Sequence, residues 1–249
     1  MQLKEYQNIY KQEDNHWWYK SLHDLVFCFL NRLSLANDSS LTLLDAGCGT
    51  GGTLRSLQNN YHSWTLVGVD LSSVALSYCR IGQEIPVIQA CVDFLPFDTE
   101  TIDVVVCLDV LYHLSVRNDQ TSLKEIYRVI KKGGYIFVHL PAFEFLRGSH
   151  DKVVFTRERY TKSKLYNRIK QAGFEVVRCS YRHMILFPFI CTKKIIDSHR
   201  IDKFSKSDLQ PLPPWLNNTL NFISCCENRI LKYFNLPIGS SILCLARKS

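Results

Sequence analysis

The residues best suited to chemistry lie in one string, Leu43-Leu44-Asp45-Ala46-Gly47-Cys48-Gly49-Thr50-Gly51, with Asp70 19 residues beyond Gly51. Glycines between a strand and a helix let the main chain approach a ligand closely. A carboxylate ending the next strand, in Val67-Gly68-Val69-Asp70, is placed to accept both hydroxyls of a ribose. A dinucleotide loop would read GxGxxG, whereas GCGTGG sets its third glycine at another offset. Four further side chains are suited to taking a proton from an attacking hydroxyl: His113, His150, Asp151 and Tyr160. His113 either does so or bonds its own loop; His150 either does so or caps a turn. His139 sits inside an apolar run and reads as a satisfied core residue. The ten cysteines form no CxxC and no Cys/His group with zinc spacing, so they read as reduced core thiols with no metal site.

Alternating strands and helices must position these residues. Leu41–Ala46, Trp64–Val69, Pro86–Ala90, Ile102–Leu108 and Tyr135–Leu140 read as strands. A helix follows Gly51, another spans Ser72–Arg80 behind a Ser cap, and a third spans Asp119–Ile130, stopped by Lys132-Gly133-Gly134. Such alternation implies parallel pairing through crossovers, hence a doubly wound α/β sheet. Thr161–Ala172 reads as one more helix, Phe174–Tyr181 as a sixth strand and Ser240–Arg247 as an antiparallel last strand. Some 57 residues, 183–239, separate those two strands, far more than a hairpin needs. That insert holds an apolar patch (Met184–Ile190), Lys193-Lys194, a proline-rich turn and an amphipathic helix from about Leu216 to Phe234.

The glycine loop with Asp70, then Leu95-Pro96-Phe97, Asp103-Val104-Val105, Leu111-Tyr112-His113-Leu114 and the run Leu123–Gly134, resembles the class I S-adenosylmethionine-dependent methyltransferases. The flanks His16-Trp17-Trp18-Tyr19, Pro141-Ala142-Phe143, Ser149-His150-Asp151, Arg159-Tyr160-Thr161 and Leu236–Ser241 resemble a bacterial HWW(F/Y) subfamily. The resemblance implies a Rossmann-like core over 35–182, an N-terminal helical lid over 1–34, a helical substrate cap over 183–239 and a final core strand over 240–249. It also implies S-adenosylmethionine as cofactor and S-adenosylhomocysteine as product. Asp45, Ala46, Gly47, Cys48, Gly49 and Gly51 would line the methionine and ribose parts, and Asp70 with Leu71 would hold the ribose. Many members carry an acid where this chain has Cys91, so adenine falls to Asp93 or to main-chain groups near Val92. Many also have Glu where this chain has Tyr112. Leu108, Asp109 and His113 would face the cofactor from the fourth strand, with Trp17 and Trp18 folded over it.

Charge narrows the acceptor. The chain carries a net +7, divided as −4 over residues 1–142 and +11 over 143–249. A basic half favours an anionic partner. Nucleic acid fits poorly: Leu108-Asp109-Val110-Leu111 stands where base-gripping enzymes carry acid-Pro-Pro-aromatic, and no RNA-binding signature is visible. The greasy, basic insert, with Ile223, Ile230, Leu231 and Phe234 beside Arg229 and Lys232, suits a lipid-linked acceptor or peripheral contact with anionic membrane. No apolar stretch approaches the roughly 20 residues of a spanning helix, and the N-terminus has no apolar leader, so a cytoplasmic protein is expected. The expected reaction is methylation of a hydroxyl oxygen on a small, lipid-linked or saccharide acceptor. The alternatives are O- or N-methylation of a soluble natural product and a non-catalytic binding protein.

Overall fold

The computed structural model describes residues 1–33, 40–82, 84–199 and 209–249. Seven strands form one sheet: β1 Thr42–Ala46, β2 Thr65–Asp70, β3 Val87–Gln89, β4 Ile102–Leu108, β5 Ile130–Pro141, β6 Glu175–Arg182 and β7 Ser241–Arg247, in the order β3-β2-β1-β4-β5-β7-β6. The first five pair in parallel, and β7 runs antiparallel between β5 and β6. This is a doubly wound, Rossmann-like sheet with an antiparallel last strand. The order reverses at β1, which pairs with β2 on one side and β4 on the other, and such a switch opens a crevice at the carboxyl ends of the strands.

Period-two alternation divides the core between the two faces. Leu44, Ala46, Val105 and Cys107 face the layer that holds Leu123 and Ile126 of α5 (Asp119–Val129) and Leu165 and Ile169 of α7 (Lys162–Gln171). Leu43, Val104, Val106 and Leu243 face the layer of α3 (Gly52–Gln58) and α4 (Ser73–Cys79). The caps follow the local sequence: Ser72, Asn118 and Thr161 accept N–H bonds at the starts of α4, α5 and α7.

The N-terminal residues form α1 (Leu3–Gln12) and α2 (Trp17–Arg32). α2 buries Leu22, Leu25, Val26, Phe29 and Leu30 in the second core layer. Its body is therefore part of the core, and its first two turns, with α1, stand at the crevice. The segment between β6 and β7 contains α8 (Phe187–His199) and α9 (Pro214–Leu231). Pro214 sits in the first turn of α9, where a missing N–H costs nothing. α9 packs on α2: Asn228 donates from Nδ2 to Ser21 O at 2.7 Å and to Asp24 Oδ2 at 2.9 Å.

The expectation fails in three places. α5 ends at Val129 and β5 begins at Ile130, so Lys132-Gly133-Gly134 lies inside the strand. Ile130 pairs with Ile102, the register shifts before Val104, and Gly133 takes φ +82° while donating to Lys248 O at 2.7 Å. The glycines thus form a bulge rather than a helix stop. The Met184–Ile190 patch runs into a helix, α8, that the sequence reading lacked. Of the insert residues expected to form a greasy wall, Leu231 is fully buried in the core while Ile230 and Phe234 face outward.

Candidate functional site

A cavity of about 900 Å³ opens at the carboxyl ends of β1, β2, β4 and β5. The glycine loop forms its floor because three residues take left-handed conformations: Gly47 at φ +94°, Gly49 at +54° and Gly51 at +89°. Gly47 N–H and Cys48 N–H donate to Val69 O at 2.7 and 2.9 Å, which folds the loop back over β2. A Cβ on Gly47 would overlap Val110, whereas at Gly49 nothing lies within 4 Å of where a Cβ would stand. The Gly49 face is therefore a cradle open to a ligand.

Asp70 ends β2 beside this loop. Its Oδ2 accepts from Gly49 N–H at 2.9 Å and its Oδ1 from Ser72 N–H at 2.8 Å. Burial raises its pKa, against the pull of those main-chain bonds. Asp45, only 2% exposed, is pushed well above the usual carboxylate range by burial and by neighbouring acidic groups, Asp70 and Glu13 among them. Clustered buried acids raise one another's charging cost, and a cation placed among them lowers it. The donor chemistry thus fits S-adenosylmethionine, which carries a sulfonium and an ammonium.

Glu13 belongs to this floor, and sequence reasoning missed it. It lies past the end of α1, is 3% exposed, and accepts from Thr50 Oγ1 at 2.7 Å, from Gly52 N–H at 3.1 Å and from Arg55. It caps the start of α3 from a segment 39 residues away from Gly52. Burial nevertheless raises its pKa.

The first turn of α2 forms one wall. Trp17 and Trp18 both line the cavity. His16 Nδ1 accepts from Trp18 N–H at 3.3 Å, and Trp17 N–H donates to Asn217 Oδ1 of α9 at 2.9 Å. Behind the tryptophans lies His183, which is 1% exposed, has a ring 4.8 Å from Trp18, and has no hydrogen-bond partner among the described residues on either ring nitrogen.

Asp109 lines the cavity at the end of β4 with φ +58°, a strained value for a non-glycine residue. His139 Nδ1 lies 3.1 Å from its Oδ1. His139 is fully buried as expected, but its Nε2 has no partner among the described residues, so only one of its ring nitrogens is satisfied by them.

Of the residues singled out from the sequence, Trp17, Trp18, Asp45, Gly47, Cys48, Gly49, Asp70, Leu71, Val92, Leu108, Asp109, His113, His150 and Asp151 all line the cavity. Four do not. Ala46 points into the core at 0% exposure, and Gly51 is the N-cap of α3. Asp93 turns away to accept from Ser122 Oγ, leaving Ala90, Cys91 and Val92 at the wall. Tyr160 is fully buried, and its hydroxyl donates to Asp119 Oδ2 at 2.9 Å. Burial, and then the Asp119 charge, push that phenol above its ordinary range. Tyr160 is a brace beneath the site and not a proton acceptor within it.

The remaining proton-transfer candidates differ in their surroundings. Burial, and then the Met1 ammonium, lower His113 to about 4; its Nε2 lies 3.0 Å from the Met1 nitrogen and its Nδ1 accepts from Ser115 N–H at 3.0 Å. Asp151 Oδ2 accepts from Gly148 N–H at 2.7 Å, closing the short helix α6 (Ser149–Val153). His150 is half-buried on the same turn.

Residues 44–138 match a methyltransferase domain family. Over 97 residues the chain is 36% identical to an uncharacterized methyltransferase, YodH, of Bacillus subtilis, a match covering 38% of this chain and 40% of that one. Over 96 residues it is 33% identical to a fatty-acid O-methyltransferase of Mycolicibacterium smegmatis, covering 37% and 34%. A tRNA (carboxymethyluridine(34)-5-O)-methyltransferase of Arabidopsis thaliana is 33% identical over 108 residues, 43% of this chain and 25% of that one. The chain therefore spans well under half the length of these curated relatives. The fold extends further: a SAM-dependent methyltransferase from Archaeoglobus fulgidus superposes over 91% of this chain and 94% of that one, at TM-score 0.57 and 17% identity.

Proposed function

With residues 44–138 a methyltransferase domain of the S-adenosylmethionine-dependent class, we propose that the chain transfers a methyl group to an oxygen of a small or lipid-linked acceptor. The observation that carries the reading is one cavity that joins the glycine loop, Asp70 and Trp17 to His150 and to the apolar side chains of α8 and α9. Donor and acceptor can share a single chamber there.

In this reading Asp70 holds the ribose hydroxyls on the lone pairs its main-chain bonds leave open. Asp45 and Glu13 balance the cofactor's positive charge. Main-chain groups at Cys91 and Val92 border the adenine, since Asp93 is engaged by Ser122. When bound, S-adenosylmethionine supplies a methyl on a sulfonium, an already activated donor. The protein's task is then alignment, which is worth about 7–11 kcal/mol in favourable cases, with proton removal contributing about 10²–10⁴-fold for a hydroxyl acceptor. We assign that proton to His150, which faces the chamber. His113 stays neutral, with a neighbour at each ring nitrogen, and Asp151 is committed to its helix cap.

Residues 1–16 and the first turn of α2 act as the lid, and α8 and α9 act as the acceptor cap. Lipid-directed relatives, such as the fatty-acid O-methyltransferase and a phthiotriol/phenolphthiotriol dimycocerosates methyltransferase of Mycobacterium leprae, agree with this choice of acceptor. The test is to incubate the protein with isotope-labelled S-adenosylmethionine and a membrane-containing lysate, then to separate organic from aqueous products. Enzyme-dependent label in the organic phase is expected; label only on a soluble metabolite or on RNA would overturn the lipid reading. His150→Ala should slow single turnover about a hundredfold or more while leaving cofactor affinity intact.

A further inference from the structure

Arg159 is set into the wall of the chamber. Its side chain is 12% exposed. Its Nε and Nη1 are buried and have no hydrogen-bond partner among the described residues. Asp151 is its charge partner, but the pair is long: Oδ1 lies 3.8 Å from Nε, beyond hydrogen-bond distance, and Oδ2 is held by Gly148 N–H. Glu144 accepts the main-chain N–H of Arg159 and is paired with Arg147, so it does not serve the guanidinium. Burial outweighs the nearby negative charges and lowers the Arg159 pKa, as expected for a cation short of partners.

Other positive charge gathers at the same place. Lys193 and Lys194 line the chamber, and a Cβ on Gly148 would stand 2.5 Å from Lys194 Nζ. Beside this basic corner the wall is apolar, formed by Leu186, Phe189 and Ile190 with Leu212, Leu216 and Leu220. The chamber thus holds acids at the glycine loop, the positive charge of Arg159, Lys193 and Lys194 against the single carboxylate of Asp151, and hydrocarbon alongside. A buried polar group without partners is rare in native proteins and marks a place where a ligand supplies them.

We propose that Arg159 is the anion-binding residue of the acceptor site, and that the acceptor is an amphiphile. Its carboxylate or phosphate pairs with the Arg159 guanidinium while its alkyl or prenyl chain lies along the α8–α9 wall. A planar guanidinium matches either anion in a forked geometry, through Nε and Nη2 or through Nη1 and Nη2. The acids at the loop repel that group, so the amphiphile enters in one orientation. The proposal rests on the reading of this chamber as a methyl-transfer site and deepens it by naming the acceptor's charge and shape.

The experiment titrates the full chain, with S-adenosylhomocysteine present, against dodecanoate, dodecyl phosphate, dodecanol and inorganic phosphate, each as a monomer in solution, by calorimetry. At least one anionic amphiphile should bind about tenfold or more tightly than dodecanol, and inorganic phosphate alone should bind far more weakly. A preference for dodecanoate identifies a carboxylate head, and a preference for dodecyl phosphate identifies a phosphate head. Arg159→Gln should abolish the preference, and Arg159→Lys should retain part of it because charge survives without the fork. Equal binding of alcohol and anions, or an unchanged preference in Arg159→Gln, would overturn the proposal; the wild-type comparison decides it even if the variants fold poorly. S-adenosylhomocysteine is titrated separately in every protein. If it fails to bind the wild type while the amphiphile binds, the methyl-transfer reading falls and the anion site stands.

Discussion

Two glycines separate folding from ligand binding. Gly49 faces open space, so Gly49→Ala should fold, at the modest cost of a left-handed alanine, about 1 kcal/mol, yet lose cofactor affinity as its methyl enters the chamber. Asp70 adds a pH signature. Cofactor needs its ionised form, and burial raises its pKa. Affinity is therefore full above that raised value and falls as pH drops through it, beginning above the ordinary carboxylate range. Titrating S-adenosylhomocysteine downward from about pH 7.5 should show weakening that sets in at a higher pH than an ordinary carboxylate would give; Asp70→Ala should bind at least about a hundredfold more weakly at neutral pH, since two charge-assisted bonds are lost. The loop and Asp70 were legible because their spacing is local. Glu13 and Arg159 were not, since Glu13 finds Thr50, Gly52 and Arg55 across 37, 39 and 42 residues, and a linear pattern does not reveal which arginine lacks a partner. Tyr160 was misread for a related reason: its neighbours in sequence do not tell which way its ring points.

At the level of elements, most strands could be read because β-branched runs end at glycine, aspartate or proline. The start of β5 could not, because a bulge hides inside Lys132-Gly133-Gly134. α8 was missed because its apolar residues run together without helical spacing. The last strand depends on a close approach that sequence does not expose: a Cβ on Gly239 would overlap the Arg182 carbonyl. Gly239→Ala should therefore destabilise by about 1–3 kcal/mol, read as a lower Tm, with little change in cofactor affinity at temperatures where the protein is folded. Gly49→Ala should show the reverse pattern. Equal losses in both variants would mean that loop and strand are not separable in this way.

Taken as a whole, the molecule concentrates exposed aromatic surface on its basic part. Phe189, Trp215, Phe222, Tyr233 and Phe234 are between 64% and 72% exposed, and Arg229 and Lys232 lie among them. No described helix is long and apolar enough to cross a membrane. Aromatic side chains with nearby cations suit the headgroup boundary of an anionic bilayer. Sedimentation with vesicles should show binding to anionic but not to zwitterionic lipid, weakened by salt. Phe222→Ser with Phe234→Ser should reduce that binding without altering cofactor affinity; undiminished binding would remove this face from the membrane reading.

The place of β7 has a consequence for synthesis. Residues 241–247 lie between β5 and β6, so β6 has no berth in the sheet until they leave the ribosome. Throughout translation of the intervening segment, β5 presents an unpaired edge of Ile136, Val138 and Leu140. Such an edge is a template for association with other chains. The nascent protein is therefore most vulnerable just before its last strand appears, and its yield in cells depends on how quickly that strand arrives or how well the edge is shielded by chaperones.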